Sequence, residues 1–207
     1  MPAIALETIK GALISGIENA QADYARMSGG EWVWAASEYM VTTYVARALS
    51  EMEGAKFVTI ESNGLTTMDY ACAPTPGPKP RKARLRGRFD ILLWWGNSKP
   101  RAVIEIKNQP GGPSGWYKDI ERITSVLNMG NGESSIEFGA FAYYYSAPVG
   151  VRMSAEQRVA GKFESIENYV RDRIGDKFQV QQVTSDIYDE GDDGAWGAAC
   201  LIIRPYR

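Results

Sequence analysis

Two apolar runs separated by a four-residue turn constrain this chain more than any other feature. Residues 87–95 carry Ile91-Leu92-Leu93-Trp94-Trp95, residues 101–108 carry Ala102-Val103-Ile104 and Ile106, and Gly96-Asn97-Ser98-Lys99 lies between them. Alternating or continuous apolar segments flanking a turn sequence predict a β-hairpin. A pairing centred between Asn97 and Ser98 sets Asp90 opposite Glu105. Directly opposed residues in an antiparallel pair point to the same face, and alternation brings Lys107 and Arg88 to that face too. Asp90, Glu105, Lys107 and Arg88 then gather at one end, with Leu92 and Val103 further along. The opposite face reads Phe89, Ile91, Leu93, Ala102, Ile104 and Ile106, a continuous apolar surface.

Opposed carboxylates repel unless positive charge lies between them. A divalent cation with oxygen ligands is one solution, and Mg²⁺ suits few protein ligands plus water. An ion-pair cluster in which Lys107 and Arg88 neutralise the acids is the other. The spacing is compatible with both.

The chain contains no histidine. That excludes Ser-His-Asp and Cys-His catalysis and histidine-based zinc sites. Any hydrolysis by such a chain would have to run on carboxylates, lysine, tyrosine or cysteine, with a hard metal ion as the natural helper. Cys72 and Cys200 lie far apart without metal-type spacing or an adjacent base, which predicts reduced, unreactive thiols and an intracellular, cytoplasmic setting. No apolar run approaches the ~18 residues of a membrane span, so no membrane partner is expected. "MPAIALETIKGALISG" carries Glu7 and Lys10 inside its apolar stretch and reads as an amphipathic helix, not a secretory signal.

The length of 207 residues is enough for one domain with its own core. Apolar spacing predicts helices over 3–27 and 31–53, the second stopped by Gly54. "KFVTIES", 56–62, alternates as a strand, with Asn63-Gly64 as a turn. A Pro-rich loop, 72–83, leads into the hairpin. A helix over about 115–129, a buried strand over 138–147, a charged helix over 154–174 and a closing strand pair around the acidic "YDEGDDG" complete the chain. The order indicates a single α/β domain, a mixed central sheet flanked by helices.

Asp90, followed by Glu105-Ile106-Lys107 at the end of the next strand, resembles the PD-(D/E)XK nuclease superfamily. Its context resembles that superfamily too: a glutamate-bearing helix upstream and a helix and strand downstream. The resemblance covers residues 31–147 and implies a restriction-endonuclease-like core, with 3–27 and 154–205 as additions. It implies that Asp90, Glu105 and the Ile106 backbone carbonyl hold Mg²⁺ or Mn²⁺. Lys107 would orient the attacking water or stabilise the charge that develops on phosphate. Glu38 interrupts an apolar helical stretch and matches the helix glutamate that reaches the metal in many members. Glu31, at the helix start, is better explained by the dipole. Gln109 matches an accessory polar position of some members, and equally fits a loop residue at the strand end. Phe89 replaces the proline of the family label.

The implied activity is metal-dependent hydrolysis of phosphodiester bonds in nucleic acid, DNA foremost. A catalytically inactive module of the same fold, binding nucleic acid or protein, is the alternative. Although the net charge is −2, Lys79, Arg81, Lys82, Arg84, Arg86 and Arg88 lie in eleven residues with no acid among them. That segment runs straight into Asp90 and is placed to hold a phosphate backbone, the alternative being a solvated flexible loop. Lys118 and Arg122, four apart on the following helix, could touch phosphate or form an ordinary exposed face. Trp94, Trp95 and residues 143–145 fit core packing better than base stacking. The acidic turn lacks the spacing of a calcium loop. Cleavage of duplex would favour a homodimer presenting two sites.

Overall fold

The computed structural model describes residues 4–54, 56–73, 78–130 and 133–206. Part of the Pro-rich loop, 74–77, falls outside them, as does 131–132 beyond the fourth helix. The fold is built on one mixed sheet. Its strands are β1 (Lys56–Asn63), β2 (Arg88–Trp95), β3 (Pro100–Asn108), β4 (Phe138–Ala147), β5 (Phe178–Thr184), β6 (Tyr188–Asp189) and β7 (Ala195–Pro205). They are ordered β1-β2-β3-β4-β7-β5, with β6 also on β7. β3 and β4 run parallel, and every other pair is antiparallel.

Helices α1 (Leu6–Ser28) and α2 (Glu38–Glu51) cover one face. Ile9, Leu13 and Ile17 of α1, with Val41, Val45 and Leu49 of α2, pack there on Ile91, Leu93, Ile104 and Ile106. The other face is covered by α4 (Pro113–Leu127), the crossover between β3 and β4, and by α5 (Ala155–Ile174). Trp116, Ile120 and Ile123 of α4 and Val159, Phe163 and Ile166 of α5 pack there on Leu92, Val103, Phe141 and Leu201. Each such side chain, once buried, contributes roughly 1.5–3 kcal/mol. Among the described residues, no helix is long and apolar enough to cross a membrane.

Most expected elements are present, and the exceptions have local causes. The second helix does not begin at residue 31. Val33–Ala35 form a 3₁₀ turn, Ala36 is extended, and Ser37 caps α2 by accepting the Tyr39 N–H. A helix-capping serine ends the irregular segment and leaves Glu38 in the first turn. Asn63-Gly64 is not a simple turn but the start of a short helix, α3 (Gly64–Tyr70), whose Thr66 N–H the Asn63 side chain accepts. The hairpin register is the expected one at Ile91↔Ile104, Leu92↔Val103 and Leu93↔Ala102, and it slips by one residue nearer the turn, where Trp94 pairs with Pro100 and not with Arg101.

Phe89 departs from expectation. It lies on the α4 side with Leu92, not with Ile91 and Leu93. An irregularity on the neighbouring strand lies level with it. Between the pairs Ile60↔Ile91 and Ser62↔Phe89, Glu61 takes a φ of 53°. A non-glycine residue in the left-handed region interrupts the regular pleat of β1 at that level.

The α4 helix sits very close to the sheet. A Cβ on Gly139 of β4 would stand 2.2 Å from Cγ2 of Ile123. Only glycine permits this approach, and it brings the charged edge of α4 against the end of β3.

Candidate functional site

The charged residues of the hairpin meet where β2 and β3 part company. The last ladder pair is Ile91↔Ile104. Beyond it the Asp90 carboxylate fills the gap, its Oδ2 accepting the Ile106 N–H at 2.8 Å. Ile106 therefore enters the site through its amide. The Asp90 and Glu105 carboxyls are neighbours, each acting on the other's ionisation.

Each acid also has a holder from outside the hairpin. Arg122 of α4 donates from one guanidinium nitrogen to Glu105 Oε1 at 3.0 Å and to the Arg88 carbonyl at 2.7 Å. Its guanidinium lies 4.1 Å over the Phe89 ring, and the Arg122 and Glu105 side chains are 5% and 4% exposed. Lys107 Nζ is 3.2 Å from Glu38 Oε1, while Glu38 Oε2 accepts the Asn108 N–H at 2.9 Å. The Asn108 amide donates to the Val33 and Ala36 carbonyls, tying the segment before α2 to the end of β3.

Burial and like charge act together on the two acids. Burial raises the Asp90 carboxyl, opposed by the Ile106 N–H and by Glu105, while Glu38 and Asp119 push it further up. Burial holds Glu105 well above the usual glutamate range, and Asp90 adds to that against the pull of Arg122. Adjacent carboxylates that resist ionising together share a proton or a cation. Among the described residues, no group of three or more acids or thiols is placed to cage a metal ion. Asp90 and Glu105 alone offer neighbouring hard oxygen donors, a set that suits Mg²⁺, which keeps several waters and binds few carboxylates.

The structure thus sets Asp90 beside Glu105 and Lys107 beside Glu38, with Glu38 in electrostatic range of Asp90. Glu38 differs from expectation in its contacts: Lys107 and Asn108 engage both of its oxygens, so it positions the lysine. Gln109 turns away from the acids. Its φ is 55°, and its amide donates to the Ser146 carbonyl and accepts from the Ser146 N–H on β4. Arg122 is a second correction. It does not share an exposed face with Lys118 but is buried against Glu105, because α4 turns Trp116, Asp119, Ile120 and Ile123 inward. Lys118 remains exposed.

The basic segment is partly neutralised. Lys82 pairs with Glu121 at 2.5 Å, Arg84 with Asp119 at 2.7 Å, and Arg88 approaches Glu61 at 3.9 Å. Lys79, Arg81 and Arg86 are exposed. Trp94, Tyr143 and Tyr144 are buried in the core. Trp95 lies 4.1 Å beneath the Arg101 guanidinium. Cys72 and Cys200 are unpaired.

Sequence reasoning missed Arg122 as a partner of Glu105, and Asn108 as the tie to α2. A signal for the first existed. Asp119 and Arg122 fall three apart along the apolar stripe of α4, where charged side chains require partners. No family model matches the chain, and neither a curated protein nor a solved structure matches it.

Proposed function

We propose that this protein is a metal-dependent phosphodiesterase acting on nucleic acid, DNA foremost, of the PD-(D/E)XK kind. One observation carries the reading: two neighbouring carboxyls, Glu105 buried and Asp90 half-buried, at a strand divergence, with a lysine two residues beyond Glu105 on the same strand, itself held by a helix glutamate. The order α2, antiparallel β1-β2-β3, crossing α4 and parallel β4 supports a restriction-endonuclease-like core.

Asp90 and Glu105 would hold Mg²⁺ or Mn²⁺, which supplies a Lewis acid toward the scissile phosphate. The remaining work falls to the chain itself. The Ile106 N–H and Arg122 keep the two carboxylates in place. Lys107, at 27% exposed, can reach a reacting group while Glu38 fixes its direction. Its ammonium would donate to the attacking water or to a phosphoryl oxygen as negative charge grows there. The basic segment of Lys79, Arg81 and Arg86 would hold the backbone by charge.

The test is cleavage of plasmid, linear duplex and single-stranded DNA with and without Mg²⁺ or Mn²⁺. Asp90→Ala and Lys107→Ala should abolish or cripple a metal-dependent activity. Equal activity in both variants would refute the assignment.

The Arg122–Glu105 pair supports a second reading, a non-hydrolytic binding module. That pair already supplies Glu105 with a counter-charge. Calorimetric titration separates the two. The phosphodiesterase takes up Mn²⁺ in a manner lost in Asp90→Ala, whereas the module takes up none.

A further inference from the structure

An open groove of about 660 Å³ lies beside the segment that precedes α2 and the residues that follow β3. Its walls include Glu31, Trp32, Trp34, Gln109, Ser146 and Asp193. Gln109 lies two residues beyond Lys107 on the same strand exit. Trp34 sits in the 3₁₀ turn between the two carbonyls, Val33 and Ala36, that Asn108 grips. Glu38 follows four residues later. The groove and the carboxylate–lysine cluster therefore hang on the same segments and stand in fixed relation.

Resting on the phosphodiesterase reading, we propose that this groove receives an unpaired nucleobase of the strand being cut, stacked on Trp34. The preferred substrate is then single-stranded or frayed nucleic acid, not intact duplex.

The chemistry of the walls selects that occupant. Trp34 is 50% exposed, a large flat apolar surface turned to water. Its backbone is anchored, so stacking costs little ordering. Glu31 and Asp193 are exposed carboxylates at the groove. They repel phosphate, and they accept hydrogen bonds of the kind that base amino groups donate. The volume lies within the ~300–1,000 Å³ of small-ligand clefts, enough for unpaired bases and too small for a double helix. Bases in a duplex face inward and reach such a wall only when extruded, at an energetic cost. Phosphates are left to the basic segment before Asp90.

The test uses oligonucleotides carrying 2-aminopurine, single-stranded and blunt duplex, with the full chain in an Asp90→Ala background so that binding is read without cleavage. The single strand should show stacking-dependent quenching that the duplex lacks. Adding Trp34→Ala should remove the quench and weaken single-strand binding roughly 5- to 150-fold, with duplex binding within about twofold. Trp34→Phe should keep most of it, and matching melting curves show that the variants fold. Equal affinity for both substrates, or single-strand binding unchanged in Trp34→Ala, overturns the inference. So does Trp34-dependent binding of free adenosine without any of the oligonucleotide, which would make the groove a nucleoside site. The quench does not require hydrolysis. A Trp34-dependent quench with no cleavage by the unmodified chain defeats the phosphodiesterase reading alone. Cleavage indifferent to Trp34 defeats this inference alone.

Discussion

Replacing Arg122 by methionine should unfold the protein more readily than any exposed charge removal, and the loss should grow with pH. The Arg122–Glu105 pair is 3.0 Å apart with both side chains about 95% shielded from water. Removing one partner of a buried pair costs about 3–5 kcal/mol, because the other charge stays behind uncompensated. For a chain of this size each kcal/mol is worth about 2–4 °C, so the melting temperature should fall by roughly 6–20 °C. Glu105 already ionises less readily than an ordinary glutamate, with Asp90 beside it. A carboxyl raised in the folded state contributes its full stability below the usual value of 4.5 and loses it as pH climbs through the folded value. Without Arg122 the folded value rises further. The deficit relative to the natural chain should therefore be small at pH 4 and large at pH 8. The double variant Glu105→Gln/Arg122→Met removes both charges and should recover most of the loss. Urea denaturation followed by tryptophan fluorescence at the two pH values measures all four corners of the cycle. Additivity within about 0.5 kcal/mol, or a deficit indifferent to pH, would show that the two side chains are not coupled as described.

Three further outcomes are expected. Lys107→Ala should lower single-turnover cleavage by about 10²–10³-fold, the cost of one donor to developing charge. It should leave urea stability within ~1 kcal/mol, since its ion pair with Glu38 is partly exposed. Gly139→Val should cost at least ~1–3 kcal/mol, because its Cβ would meet Ile123 at 2.2 Å. Stability equal to the natural chain would show that α4 does not pack on β4 this closely. Ser37→Ala removes the α2 cap and should cost ~1 kcal/mol, with a fall in cleavage rate as the Glu38 turn frays. Circular dichroism and single-turnover assays read the two effects separately.

The hairpin shows why so much of the site was legible. Turn length and a period of two fix which residues face each other, so Asp90 against Glu105 follows from the string alone. Glu38 was legible as a charge inside an apolar helix. Gln109 was visible as a polar residue near Lys107. Its turn toward Ser146 was not, because that turn depends on the approach of β4, 37 residues away. The same limit applies to the start of α2. The apolar pattern runs on through Trp32 and Trp34, yet the Asn108 grip on Val33 and Ala36 helps hold that stretch as a 3₁₀ turn.

Periodicity, turns and the placement of charges determined the layered α/β plan, the hairpin register about Ile91 and Ile104, and the nearness of Asp90 to Glu105. Only the tertiary structure decided that Arg122 lies against Glu105, that Phe89 packs on the α4 side of the sheet, and that Trp34 lines a groove. The division has one physical cause. Local pattern sets which way a side chain points along its own element, whereas burial of a charge or exposure of a ring depends on elements distant in the chain that happen to close over it or leave it open.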